Sequence, residues 1–163
     1  MNTPAGIPDS PRKTKLSVLI ASGFGLGFLP KAPGTWGSLG ALPLAWVVWS
    51  VAGTWAVLSV AAILFVAGMA AVKTALRDSD VHDPSWVVVD EIAGQCLVLA
   101  PFPPDPITYT LGFLLFRAAD IVKPWPASSI DRRMTGPFGA MLDDLVAGLY
   151  ALALLFAATE FLG

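Results

Sequence analysis

The stretch VVVDEIAGQ, residues 87–95, sets two adjacent acids, Asp90 and Glu91, inside a run apolar enough for a membrane. A charge at the centre of a spanning helix costs about 2.5–3.5 kcal/mol, so such a pair needs a partner or a place near the water interface. Two later segments repeat the anomaly. FRAADIVKP, residues 116–124, carries Arg117, Asp120 and Lys123, and MLDDLVAG, residues 141–148, carries Asp143 and Asp144. Three acid-bearing helical segments therefore need a common explanation.

Composition sets the medium. Of the 163 residues 55% are hydrophobic and 13% charged, with a mean hydropathy of +0.69, where soluble domains are about 25% charged. The net charge of −2 gives no case for nucleic acid. Cys96 stands alone, which excludes an internal disulfide or a CxxC site. Residues 1–10 are polar and no cleavage site follows Arg12, Lys13 and Lys15, so no removable signal peptide is expected.

Working outward, the chain divides at its glycines and prolines. Residues 1–15 are expected to form a basic cytosolic tail, and 16–163 a single membrane-embedded domain. Residues 16–29 are apolar but rise only about 21 Å as a helix, which suggests an interfacial or re-entrant piece. Runs at 39–51 and 55–72, broken at Gly53 and Thr54, suggest a helical hairpin with a short first arm. Residues 73–85 form a polar loop, 86–100 a third span closed by PFPPDP, and 107–122 a fourth ended by Lys123 and Pro124. The last span opens near Phe138 or Gly139 and runs to Phe161. The fold class expected is thus all-α, an integral membrane bundle of about five embedded helices plus the N-terminal helix.

Charge orients it. With the tail inside, five spans put Arg12, Lys13, Lys15, Lys31, Lys73, Arg77, Lys123, Arg132 and Arg133 on the inner side, and Arg117 near an inner helix end. The same topology gathers Asp90, Glu91, Asp120, Asp143 and Asp144 toward that side. A transport path would spread such groups through the membrane depth, whereas a one-sided cluster is better read as a site.

Its chemistry follows from ligand type. Carboxylate oxygens suit Mg²⁺, held by a few acids and a substrate phosphate, whereas one histidine and one thiol make zinc a poor fit. Gly94 and Gly148, one turn beyond Asp90 and Asp144, would let helices approach closely. In KAPGTWGS, residues 31–38, Thr35 and Ser38 are natural N-cap residues, and a helix start offers N–H groups to an anion. Lys31, Arg117, Lys123 and Arg132 would add contacts to phosphate oxygens. Together these point to metal-assisted phosphoryl chemistry with an activated water as the simplest nucleophile. Plainer readings stand beside this one. KAPGTWGS can be an ordinary helix-opening turn, Arg117 with Asp120 an intrahelical pair, His82 with Asp83 a loop pair, and Arg133 a membrane anchor, while Asp105 and Glu160 read as solvated ends.

PGTWGS (33–38), VHD (81–83), DEIAGQ (90–95), FRAADIVKPWP (116–126), DR (131–132) and MLDDLVAG (141–148) together resemble the phosphatidylglycerophosphatase A family of bacterial membrane lipid phosphatases. The resemblance implies an integral inner-membrane, all-helical enzyme, for which the charge bias above suggests a multi-pass topology with a cytosolic N-terminus and active site. It would hydrolyse phosphatidylglycerophosphate to phosphatidylglycerol and phosphate with Mg²⁺. Carried over by position, Asp90, Glu91, Asp120, Asp143 and Asp144 would be metal and catalytic residues, with Thr35, His82, Arg117, Lys123 and Arg132 nearby. The alternative is a divalent-cation or proton-coupled transporter.

Overall fold

The computed structural model describes residues 12–77, 84–129, 134 and 136–162. Among these are five bounded α-helices, a 3-10 turn and a further helical stretch at 127–129, with no strand. Helix α1 spans Arg12–Ala21, so it begins inside the expected tail, and the 3-10 turn spans Leu26–Phe28. They are followed by α2 (Pro33–Ala75), α3 (Val89–Leu99), α4 (Pro106–Val122) and α5 (Pro137–Leu162). The all-helical class holds.

Helix α2 is a hairpin. A Cβ at Gly37 would meet Val88, and one at Gly68 would meet Val89. A straight helix would separate those glycines by about 46 Å, whereas neighbouring Cα atoms lie about 3.8 Å apart. The chain therefore doubles back, at Gly53, where φ 73° and ψ −168° interrupt the helix in a region closed to most side chains. The two arms face each other through Ala41, Ala45, Val57 and Ala61. The first arm starts at Pro33, not at Leu39 as the hydropathy suggests, because Pro33 is well placed at the first helical position and Gly34 and Gly37 are tolerated there by packing. Each arm is then about 30 Å long, the thickness of a hydrocarbon core.

Helix α3 corrects the expectation of a third span at 86–100. It has 11 residues and is about 16 Å long, too short to cross. Its apolar character comes from burial in protein: Val89, Ile92, Ala93, Cys96, Val98 and Leu99 are all buried. It packs chiefly on α2 and α5, and the preceding residues are tied to α1 by the Val88 N–H, which donates to the Ala21 carbonyl at 2.9 Å.

Helix α4 follows local rules at both ends. Asp105 caps it by accepting from the Thr108 N–H at 2.7 Å, Pro106 stands at its start, and Lys123 closes it with φ 46°. Asp105 is thus solvated, as expected, and structural as well. Two helices, Pro33–Ala75 and Met141–Phe161, are long and apolar enough to cross a membrane. The expected count of about five spans is not reached by that measure. Outward-facing Val51, Trp55, Ile107, Ile121 and Phe161 are each more than two-thirds exposed, an apolar surface uncommon on soluble monomers.

Candidate active site

The acids converge where α2, α3, α4 and α5 meet. Asp90 and Glu91 occupy the first turn of α3, where the helix dipole favours negative charge, and the Glu91 N–H donates to Asp90 Oδ1 at 3.0 Å. Asp144 comes from the second turn of α5. One carboxylate oxygen from each of Asp90, Glu91 and Asp144 lies within 4.8 Å of the others. Asp120, near the end of α4, is in hydrogen-bonding reach of Asp144. Asp90, Asp120, Asp143 and Asp144 are all buried.

Close backbone approach makes this possible. A Cβ on Gly94 would stand 2.9 Å from the Asp144 carbonyl oxygen and 2.8 Å from the Phe116 ring, and one on Gly148 would stand 3.1 Å from the Gly94 carbonyl oxygen. The two glycines singled out in the sequence thus face each other across α3 and α5. Gly34, within KAPGTWGS, has the same role at the start of α2. A Cβ there would lie 2.1 Å from Glu91 Oε1 and 3.2 Å from an Arg117 guanidinium nitrogen.

Two cations balance part of the charge. Arg117 donates to Asp120 Oδ2 at 2.5 Å, one helical turn apart, so the intrahelical pair of the plainer reading is present and lies inside the site. Lys123 is ion-paired with Asp143 across α4 and α5. Five acids against these two bases leave an excess of negative charge that a divalent cation would relieve. The site also retains buried polar atoms without a hydrogen-bond partner among the described residues: Glu91 Oε2, Arg117 Nε and both amide atoms of Gln95. Gln95 is fully buried one turn beyond Glu91, on the same helical face. Its signal in the sequence was a lone amide in an apolar helix, four residues after an acid.

The remaining expectations divide. Lys31, with φ 60°, is exposed just before α2, and Thr35 is half-buried in its first turn. Neither Thr35 nor Ser38 caps the helix. The cap position is Ala32, and the buried Ser38 hydroxyl donates to the Gly34 carbonyl at 2.9 Å. The helix opens earlier than the polar residues suggested because Pro33 starts it. His82 and Arg132 lie outside the described residues. The donor set fits a hard divalent cation: three carboxylates within reach of one point, one of them with a buried oxygen that has no hydrogen-bond partner among the described residues.

Comparison with known proteins identifies related sequences. The family model for Phosphatidylglycerophosphatase A matches residues 19–159. A Phosphatidylglycerophosphatase A of Haemophilus influenzae is 39% identical over 140 residues, covering 85% of this chain and 86% of its own length. One from Escherichia coli is 35% identical over 140 residues, covering 85% and 80%. A Bacteroides thetaiotaomicron protein with the provisional name phosphatidylinositol-3-phosphatase is 36% identical over 163 residues, covering 93% and 99%. No solved structure matches the chain.

Proposed function

The chain belongs to the phosphatidylglycerophosphatase A family, and from that premise we propose that it removes the terminal phosphate of phosphatidylglycerophosphate, with Mg²⁺, at the cytosolic face of a bacterial inner membrane. It is an enzyme, a phosphatase acting on a phosphate monoester, so the transporter reading falls away. The observation that carries the fuller reading is the meeting of Asp90, Glu91 and Asp144 beside the Arg117–Asp120 pair.

Asp90, Glu91 and Asp144 would hold the cation, with Glu91 Oε2 as the oxygen that has no partner among the described residues. Bound there, Mg²⁺ would polarise the phosphate and activate water. The chain's own residues supply the rest. Arg117 is oriented by Asp120 and keeps its Nε for a phosphate oxygen, and Lys123 and Lys31 add positive charge at the same helix ends. Asp120 and Asp143 hold Arg117 and Lys123 in place. A phosphate dianion entering a cluster of five acids would be repelled without the cation, so the reaction should require it. Thr35, His82 and Arg132 are assigned to phosphate binding by their place in the family's motifs, whereas Ser38, buried with its hydroxyl on the Gly34 carbonyl, is given a structural role.

The test is phosphate release from phosphatidylglycerophosphate in mixed micelles, with Mg²⁺ or chelator, alongside Asp144→Asn. Metal-dependent release that the variant loses supports the proposal, and no release from folded protein under any metal removes it. Phosphatidylinositol 3-phosphate is the second substrate, because of the name carried by the Bacteroides relative. Faster turnover of that lipid would reassign the headgroup.

A further inference from the structure

Between the first arm of α2 and helix α4 lies an open apolar cavity of about 370 Å³, lined by Leu42, Trp46 and Val47 on one side and Pro106, Tyr109 and Thr110 on the other. The same two helix segments form part of the acid site. They meet at one end, where Gly34 adjoins the Arg117 guanidinium, and again where Trp46 and Tyr109 pack edge to face at 5.3 Å. The cavity and the site therefore lie along the same helix pair.

Distance identifies its occupant. Along α2, Leu42 to Trp46 lie about 12–18 Å from Gly34, and along α4, Tyr109 to Pro106 lie about 12–17 Å from Arg117. Both helices give the same depth. In the proposed substrate the roughly eleven bonds from the terminal phosphorus to an ester carbonyl span about 14 Å when extended. Beyond that point the molecule is hydrocarbon, and so is the wall that meets it.

We infer that the α2–α4 cavity is the subsite for an acyl chain of the lipid whose terminal phosphate occupies the acid site. This rests on the phosphatase reading and adds where the acyl chain is held. Val47, Trp46 and Tyr109 set how the first methylenes are received, so the enzyme discriminates the acylated lipid from its deacylated headgroup by KM.

The experiment fills the cavity with Val47→Trp, at a residue 61% exposed, and uses Ile63→Trp, at a 64% exposed position on the second arm of α2, as a control for bulk. Phosphate release is measured from dipalmitoyl phosphatidylglycerophosphate and from its deacylated, water-soluble headgroup. Val47→Trp should raise KM for the lipid about ten-fold and leave KM for the headgroup within about two-fold, and Ile63→Trp should change neither. Equal effects on both substrates, or none, would overturn the inference. A second arm uses phosphatidylglycerophosphate carrying a diazirine on an early acyl carbon, with the crosslinked peptides mapped. Labels at 42–47 or 106–110, displaced by unlabelled phosphatidylglycerophosphate and not by phosphatidylcholine, support the subsite, whereas displacement by both lipids overturns it. If the wild-type enzyme releases no phosphate from either substrate, the phosphatase reading fails, and the crosslinks still decide the subsite.

Discussion

Lys123, the left-handed residue that ends α4, is ion-paired with the buried Asp143 of α5. The pair joins two acid-bearing helices at the level of the site. Lys123→Met removes the charge facing a carboxylate that is only 4% exposed, whereas the lysine itself is 31% exposed. A loss of about 2 kcal/mol is expected, below the range for fully buried pairs because water reaches the lysine. Urea unfolding in micelles measures it. The double variant Lys123→Met with Asp143→Asn should recover most of the stability but not the phosphatase activity.

Gly34→Ala separates activity from stability. Alanine is the better helix former by about 1 kcal/mol, so thermal stability should hold or rise. The added methyl, however, meets Glu91 Oε1 at 2.1 Å and must displace it. A fall in kcat/KM of about 100-fold is expected, as for a catalytic group moved by an ångström. Unchanged kinetics would show that Glu91 adapts without consequence.

Gly94→Ala acts on the helix pair. Here the methyl meets the Asp144 carbonyl and the Phe116 ring, and backbone cannot turn aside as a carboxylate can. The variant should lose about 1–3 kcal/mol and bind Mg²⁺ more weakly, because α3 is pushed from α5. Titration of the metal against thermal stability reads both effects.

Metal binding is testable without substrate. Protein stripped with chelator should gain stability on adding Mg²⁺, by about 2.7 kcal/mol at a hundred times the dissociation constant. Asp144→Asn should abolish that gain while removing a repulsive charge. A gain that survives in Asp90→Asn and Asp144→Asn alike would place the cation elsewhere.

Asp105 offers a pH test away from the acid cluster. Its cap on Thr108 holds the carboxyl below its ordinary range. A lowered folded pKa means that the contribution is fully present above the unfolded value and is lost as pH falls through the folded one. The difference in melting temperature between wild type and Asp105→Ala should therefore be constant near neutrality and close in acid.

Read by itself, the chain determined the all-helical class, the break at Gly53, the end of α4 at Lys123 and which acids required an explanation. Those features are local. Glycine and proline act through their own backbone torsions, and a carboxylate in an apolar run is anomalous wherever the run is placed. Gly94 and Gly148 were also legible, one turn from the acids they serve.

Only the tertiary structure decided that α3 is a buried core helix and not a span. Hydropathy records that water is absent and cannot tell whether lipid or protein has replaced it. Tertiary contacts also decided which residues meet: Asp144 with Asp90 and Glu91, Lys123 with Asp143, and Gly34 with Glu91. More than fifty residues separate Glu91 from both Gly34 and Asp144. Their meeting depends on how α2 folds back and how closely α3 and α5 pack, and no periodicity within a single helix encodes that.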